Sequence, residues 1–123
     1  MKNPVSYFEI PVTDLDRAVE FYESVFEVQL ERATVDGYDM ALFPSDSDAA
    51  GASGALAQGD VYVPSKEGAV LYFSVDDIDS IIERAIARNG KVLYPKKSIG
   101  VPDFVAEIED SEGNRIALHQ VSI

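Results

Sequence analysis

The chain carries one histidine, His119, and no cysteine. Without cysteine there is no disulfide, no thiolate zinc site and no cysteine nucleophile. Chemistry falls to carboxylates, phenols and one imidazole. Glu9 lies in a run where Phe8, Ile10 and Val12 alternate with Tyr7, Glu9 and Pro11, a period of two. A strand carboxylate turned inward, away from water, has a raised pKa and can act as a general base. The plain alternative is a structural carboxylate paired with Arg115 or a backbone group. His119 shares a strand face with Arg115 and Ala117, opposite Ile116 and Leu118. An imidazole there can carry a proton or donate a hydrogen bond near neutral pH. It can equally be a hydrogen-bonded structural residue. The sequence has no phosphate loop, no Gly-x-Ser-x-Gly elbow and no His-x-x-His pair.

The elements that position these residues come as a repeat. At an offset of 63 residues, Val12 matches Val75, Asp14 matches Asp77, Asp16 matches Asp79, Val19 matches Ile82 and Glu20 matches Glu83. The offset is close to half the 123 residues, so the repeat divides the chain into two near-equal halves. Each half reads as a strand entering a helix. Thr13 or Asp14 caps the first helix, whose apolar face is Leu15, Ala18, Val19, Tyr22, Val25 and Phe26. Ile78, Ile81, Ile82, Ala85 and Ile86 repeat that face, and Asn89-Gly90 stops the second helix because glycine takes the left-handed conformation freely.

Strand-like runs follow each helix. They cover about Val28–Ala33, Tyr38–Phe43 and Gly54–Gln58, then Lys91–Pro95, Phe104–Glu109 and Arg115–Val121. Asp110–Gly113 reads as a turn, and the Gly/Ala-rich stretch Asp46–Gly54 as a mobile loop. The division is module one at 1–59, a linker at 60–68 and module two at 69–123. Neither half can bury a four-stranded sheet alone, but two halves together can.

Composition bounds the rest. With 46% hydrophobic residues the chain can bury a core of ordinary size. The 22 acidic and 10 basic residues give a net charge of −12, which repels a phosphate backbone and argues against nucleic acid as partner. No segment is apolar enough to span a bilayer, and no apolar signal core follows the N-terminus, so the expected location is the cytoplasm.

The run from Phe8 to Tyr22, with Pro11, Val12, Asp14, Leu15, Arg17, Ala18 and Phe21, resembles the opening of vicinal oxygen chelate proteins, the glyoxalase, bleomycin-resistance and dioxygenase superfamily. Asp110 to His119 resembles that family's closing turn and last strand. Tyr72 to Asp79, with Asn89 to Val92, resembles its second module. The resemblance implies an α+β fold: two β-α-β-β-β modules whose curved mixed sheets surround a concave cavity. In metal-dependent members a divalent ion sits there on His, Glu or Gln side chains and acts as a Lewis acid.

The ligand positions that the resemblance implies fall on Tyr7, Val70, Ala117 and a residue within Gly51–Ala57. None offers an imidazole or carboxylate, and a protonated phenol is a poor ligand. The expectation is therefore no metal. If the apolar strand residues face the helices, Tyr7, Glu9, Tyr72, Glu107 and His119 line the cavity, with Glu9 and His119 as candidate catalytic residues. Tyr7, Tyr72 and Glu107 would contact the ligand, and Tyr62, in the linker, could close over it. The leading functional expectation is a glyoxalase-like protein that binds a small organic molecule in a metal-free cavity, to hold it or to move a proton on it. One alternative is a lyase-like or dioxygenase-like metalloenzyme with ligands relocated to Glu9, Glu107 and His119. Another is a resistance protein that sequesters a drug without chemistry. The resemblance also implies a homodimer.

Overall fold

A computed structural model describes residues 3–100 and 102–120. The element order is β1 (Tyr7–Val12), α1 (Leu15–Phe26), β2 (Glu31–Val35), β3 (Tyr38–Leu42), β4 (Ser53–Gln58), β5 (Leu71–Val75), α2 (Ile78–Ala87), β6 (Lys91–Gly100), β7 (Asp103–Glu109) and β8 (Arg115–Gln120). The strands form two four-stranded sheets, ordered β1-β4-β3-β2 and β5-β8-β7-β6. In each sheet the first strand runs parallel to the last and the other pairings are antiparallel. This is the doubled β-α-β-β-β arrangement expected from the repeat.

Each helix starts at an aspartate. Asp14 caps α1 and accepts from the Arg17 N–H at 3.1 Å, and Asp77 caps α2. A second device repeats in both modules. The Gln58 side chain, at the end of β4, accepts from the Leu15 N–H at 2.7 Å, and Gln120, at the end of β8, accepts from the Ile78 N–H at 2.7 Å. Each last strand thus satisfies an unpaired N–H at the start of its own module's helix.

The helix-facing sides of both sheets share one core. Ile10, Val12, Ala41 and Leu56 from sheet one join Ala106, Ile108, Ile116 and Leu118 from sheet two, with both helices between them. Phe73 of β5 sits among four module-one aromatics, with its ring centroid 5.9 Å from Phe8, 6.3 Å from Tyr22, 4.8 Å from Phe26 and 5.8 Å from Phe43. The opposite sides of the sheets are open.

Several boundaries differ from the sequence expectation. β2 begins at Glu31 rather than near Val28. Glu27 turns left-handed at φ 54°, and Glu23 draws the Leu30 N–H to 2.9 Å, so this stretch is spent on the turn out of α1. β6 continues through Pro95 to Gly100, because it is an edge strand with register shifts between Val92 and Tyr94 and between Tyr94 and Lys97. Proline is tolerated where a strand has an unpaired edge or a bulge. The expected last strand's Val121 lies outside the described residues. At the end of α2 the left-handed residue is Asn89, at φ 68°, not Gly90. Gly90 is needed for space: a Cβ there would lie 2.9 Å from the Ala85 carbonyl oxygen and 3.0 Å from that of Glu109.

Candidate functional site

Directly opposed strand residues point to the same side of a sheet, and neighbours along a strand alternate. The register therefore gives the open face of sheet one as Tyr7 and Glu9 of β1, Ser53, Ala55 and Ala57 of β4, and Tyr38, Met40 and Leu42 of β3. On sheet two it gives Tyr72 and Ser74 of β5, Arg115, Ala117 and His119 of β8, and Val105 and Glu107 of β7. All five strand residues of the expected cavity lie on faces away from the helices.

They do not form one site within the chain. Glu9 is the centre of the sheet-one group. Its carboxylate accepts from the Tyr7 hydroxyl at 3.1 Å and the Tyr62 hydroxyl at 2.8 Å. Tyr62 reaches it from the linker, and its ring meets that of Tyr38 edge-on at 5.3 Å. Beneath these rings Met40, Ala55 and Ala57 form a small apolar cluster, separate from the main core. The phenols are held in their protonated form. Partial burial and the Glu9 carboxylate raise the Tyr7 pKa, and the hydrogen bond to Glu9 pushes Tyr62 up to about 12. The charge of Asp60 raises Tyr38. Beside this face a cleft of about 910 Å³ opens between the start of β1 and the β3–β4 loop, with Tyr7, Glu31, Leu42 and Ser53 among its lining.

The sheet-two group is a separate ionic network. Arg115 pairs with Glu107 and also donates to the Lys66 carbonyl. His119 Nε2 lies 3.5 Å from Asp103 Oδ2, and Tyr72 is exposed. The alternative of a Glu9–Arg115 pair is not formed: Glu9 accepts from phenols, and Arg115 pairs with Glu107. The relocated triad of Glu9, Glu107 and His119 also fails to assemble within the chain. Each member has its own separate partners, and among the described residues no three His, Asp or Glu side chains come together to hold a metal ion.

The donor set at the implied ligand positions does not fit a divalent ion either. The register resolves the uncertain fourth position. Ala117 faces Tyr72 across sheet two, and Ala55 holds the matching place opposite Glu9 in sheet one. Ala55, Val70 and Ala117 have no donor side-chain atom, and Tyr7 keeps its proton.

Two groupings escaped the sequence reading. Tyr38 belongs to the Glu9 group, a membership that only β3–β4 pairing reveals. The turn after β7 is a junction between modules rather than a simple reversal. The Glu112 carboxylate, fully buried, accepts from the Thr13 N–H at 2.9 Å, the Thr13 hydroxyl at 3.0 Å, the Asp14 N–H at 2.9 Å and the Arg17 guanidinium at 2.7 and 2.9 Å. Asp110 accepts from the buried Tyr22 hydroxyl at 2.6 Å, and Asn114 donates to the Pro11 carbonyl at 2.8 Å. Burial raises the Asp110 pKa against the hydrogen bonds it accepts from Tyr22, Asn114 and the Glu112 N–H.

A doubled β-α-β-β-β fold with a shared helix-side core and two open sheet faces defines an α+β protein of the glyoxalase type. The model of the Glyoxalase/Bleomycin resistance protein/Dioxygenase superfamily matches residues 5–118, and the chain belongs to that superfamily. It is 33% identical over 119 residues to a glyoxylase-like domain-containing protein of Didymella fabae, covering 93% of this chain and 91% of that protein. A glyoxalase/bleomycin resistance protein of Albidiferax ferrireducens has the same fold, with a TM-score of 0.74 at 15% identity over 98% of this chain and all of that one. Glyoxalase I of Zea mays superposes with a TM-score of 0.74 at 19% identity, over 95% of this chain and 45% of the maize chain. Among the described residues no helix is long and apolar enough to cross a membrane.

Proposed function

We propose that this chain is a glyoxalase-like protein that binds a small organic molecule on the open face of sheet one, without a metal ion, with Glu9 as the recognising group. The observation that carries this reading is Glu9 itself. It is a carboxylate on the open face, flanked by two protonated phenols, above an apolar floor of Met40, Ala55 and Ala57. A carboxylate can take a proton from a bound molecule while a neighbouring phenol returns one, which is general acid–base chemistry. Tyr7 is the acid in this scheme.

The partner in this reading is a second copy of the chain. It covers the open face of sheet one with its own sheet two, bringing Tyr72, Glu107 and His119 opposite Glu9. The exposure of Tyr7 at 47% and Tyr72 at 58% supports a covered state, since large side chains on open sheet faces favour burial.

The test is a ligand-detected NMR screen of small organic molecules against the wild type and Glu9→Gln, with metal content measured on the same samples. Ligands that bind the metal-free wild type and lose about tenfold or more in Glu9→Gln are the expected result. Ligands indifferent to Glu9, or binding that requires a stoichiometric ion, would overturn the reading. Solvent deuterium exchanged into a bound ligand by the wild type, and not by Glu9→Gln, separates proton transfer from simple holding.

A further inference from the structure

The linker does something unusual on the open face of sheet one. Residues 59–65 run as a strap from the end of β4 to module two, where the Ser65 N–H meets the Asn114 side chain at 3.0 Å. Along the strap Val61 and Val63 are exposed at 65% and 72%, while Tyr62 between them turns in and is half-buried. Its hydroxyl donates to Glu9 at 2.8 Å, and its ring lies on the Met40, Ala55 and Ala57 cluster. Gly59 makes this possible. A Cβ there would lie 2.3 and 2.4 Å from the Tyr38 ring, the ring against which Tyr62 rests. A tethered side chain thus presents one hydrogen-bond donor and one apolar body to the face.

The charges around it narrow what could replace it. Glu9 and Glu31 lie on this face and Asp60 at its rim. Among the described residues of module one the only cations are Arg17 and Arg32. Both are engaged on the helix side, with Glu112 and Asp16. Among the described residues no unpaired cation lies on this face, and the Arg115 that a second copy's sheet two would bring opposite it is already paired with Glu107.

We infer that Tyr62 occupies in cis the position of a ligand's donor group on Glu9, so that the ligand is a neutral or cationic organic molecule whose hydroxyl or amine sits beside an apolar body. Binding then requires the strap to release Tyr62. The phenol is a built-in competitor that sets affinity and selects against anions, for which a carboxylate is a repelling partner. The inference rests on the reading of Glu9 as the recognising group.

Benzylamine, benzyl alcohol and benzoate share one apolar body and differ in the polar group. Their dissociation constants, measured by NMR titration against the wild type, Tyr62→Phe, Gly59→Ala and Glu9→Gln, test the inference. Tyr62→Phe removes the competing hydroxyl and keeps the ring. Gly59→Ala crowds the Tyr38 ring on which Tyr62 rests and so disturbs the seat of the strap, while leaving Glu9 and the Tyr62 hydroxyl chemically unchanged. Benzylamine and benzyl alcohol are expected to bind both variants about fivefold or more tighter than the wild type, the order of what one hydrogen bond to a charged acceptor contributes. Benzylamine binding is expected to drop by a similar factor or more in Glu9→Gln, and benzoate to bind none of the proteins. Glu9-dependent binding that neither strap variant tightens, or benzoate bound as well as benzylamine, overturns the inference and leaves Glu9 as the recognising group. Probe binding indifferent to Glu9→Gln overturns both. No binding of any probe to any of the proteins overturns the inference alone, because the broader screen judges the function.

Discussion

Replacing Glu112 by glutamine tests whether the turn after β7 locks the two modules together. Burial pushes the Glu112 carboxyl up. The Arg17 guanidinium, the Asp14 N–H, the Ser111 hydroxyl and the Thr13 N–H outweigh that effect and hold it at about 2, against an ordinary 4.5. Each pKa unit is worth about 1.4 kcal/mol, so the ionised carboxylate contributes roughly 3 kcal/mol to folding. Arg17 is half-exposed, and solvent screening makes that figure an upper one. Glutamine keeps the shape but turns an amide N–H toward the Arg17 guanidinium or the Thr13 and Asp14 N–H groups, which can only donate. In a domain of this size the loss corresponds to a fall in Tm of roughly 10 °C. Because the folded pKa lies below the unfolded one, the stabilisation is complete above about pH 4.5 and disappears as pH falls toward 2. Thermal unfolding of both proteins by circular dichroism between pH 3 and 7 should show a gap that is widest at neutral pH and narrows on acidification. A gap under about 2 °C at pH 7, or one that widens as pH falls, would refute the argument.

Other substitutions probe the same framework. Tyr22→Phe removes the 2.6 Å hydrogen bond to buried Asp110 and should cost about 1–3 kcal/mol in urea unfolding; no change would mean that the remaining donors satisfy Asp110. Gly90→Ala places a methyl against two backbone carbonyl oxygens and should destabilise by about 2 kcal/mol or more, whereas Asn89→Gly should be neutral or slightly stabilising because the left-handed residue is Asn89. The reverse order in a chemical unfolding series would sink that assignment. Gln58→Ala and Gln120→Ala should each cost about 1 kcal/mol, as equivalent helix-start acceptors do, and a large disparity between them would show that the internal symmetry is not energetic.

The carboxylate–phenol group shows why part of the site was legible and part was not. Period-two patterning placed Tyr7 and Glu9 on one side of β1, because alternation along a strand is a local property. Tyr62 could only be read as a linker tyrosine able to close over a ligand. Its partner lies 53 residues earlier, and no local rule says where a linker side chain lands. Tyr38 was missed because its place beside Tyr62 depends on β3–β4 pairing. The alternative of a Glu9–Arg115 pair fell for the same reason: pairing opposite charges across the chain requires knowing that the sheets expose them on separate faces.

What the sequence determined alone is what repeats and alternates over short spans. The repeat announced two modules, the aspartate caps and apolar faces announced α1 and α2, and the missing donors at Val70 and Ala117 spoke against the implied metal set. The tertiary structure decided which distant groups meet. It joined Glu112 to the start of α1, a helix in the other half of the chain, and Asp110 to Tyr22, 88 residues away. It also set Glu9 and His119 on different sheets. The physical reason is that local patterns follow from backbone geometry and solvent, whereas long-range hydrogen bonds follow from how the two modules bury one shared core.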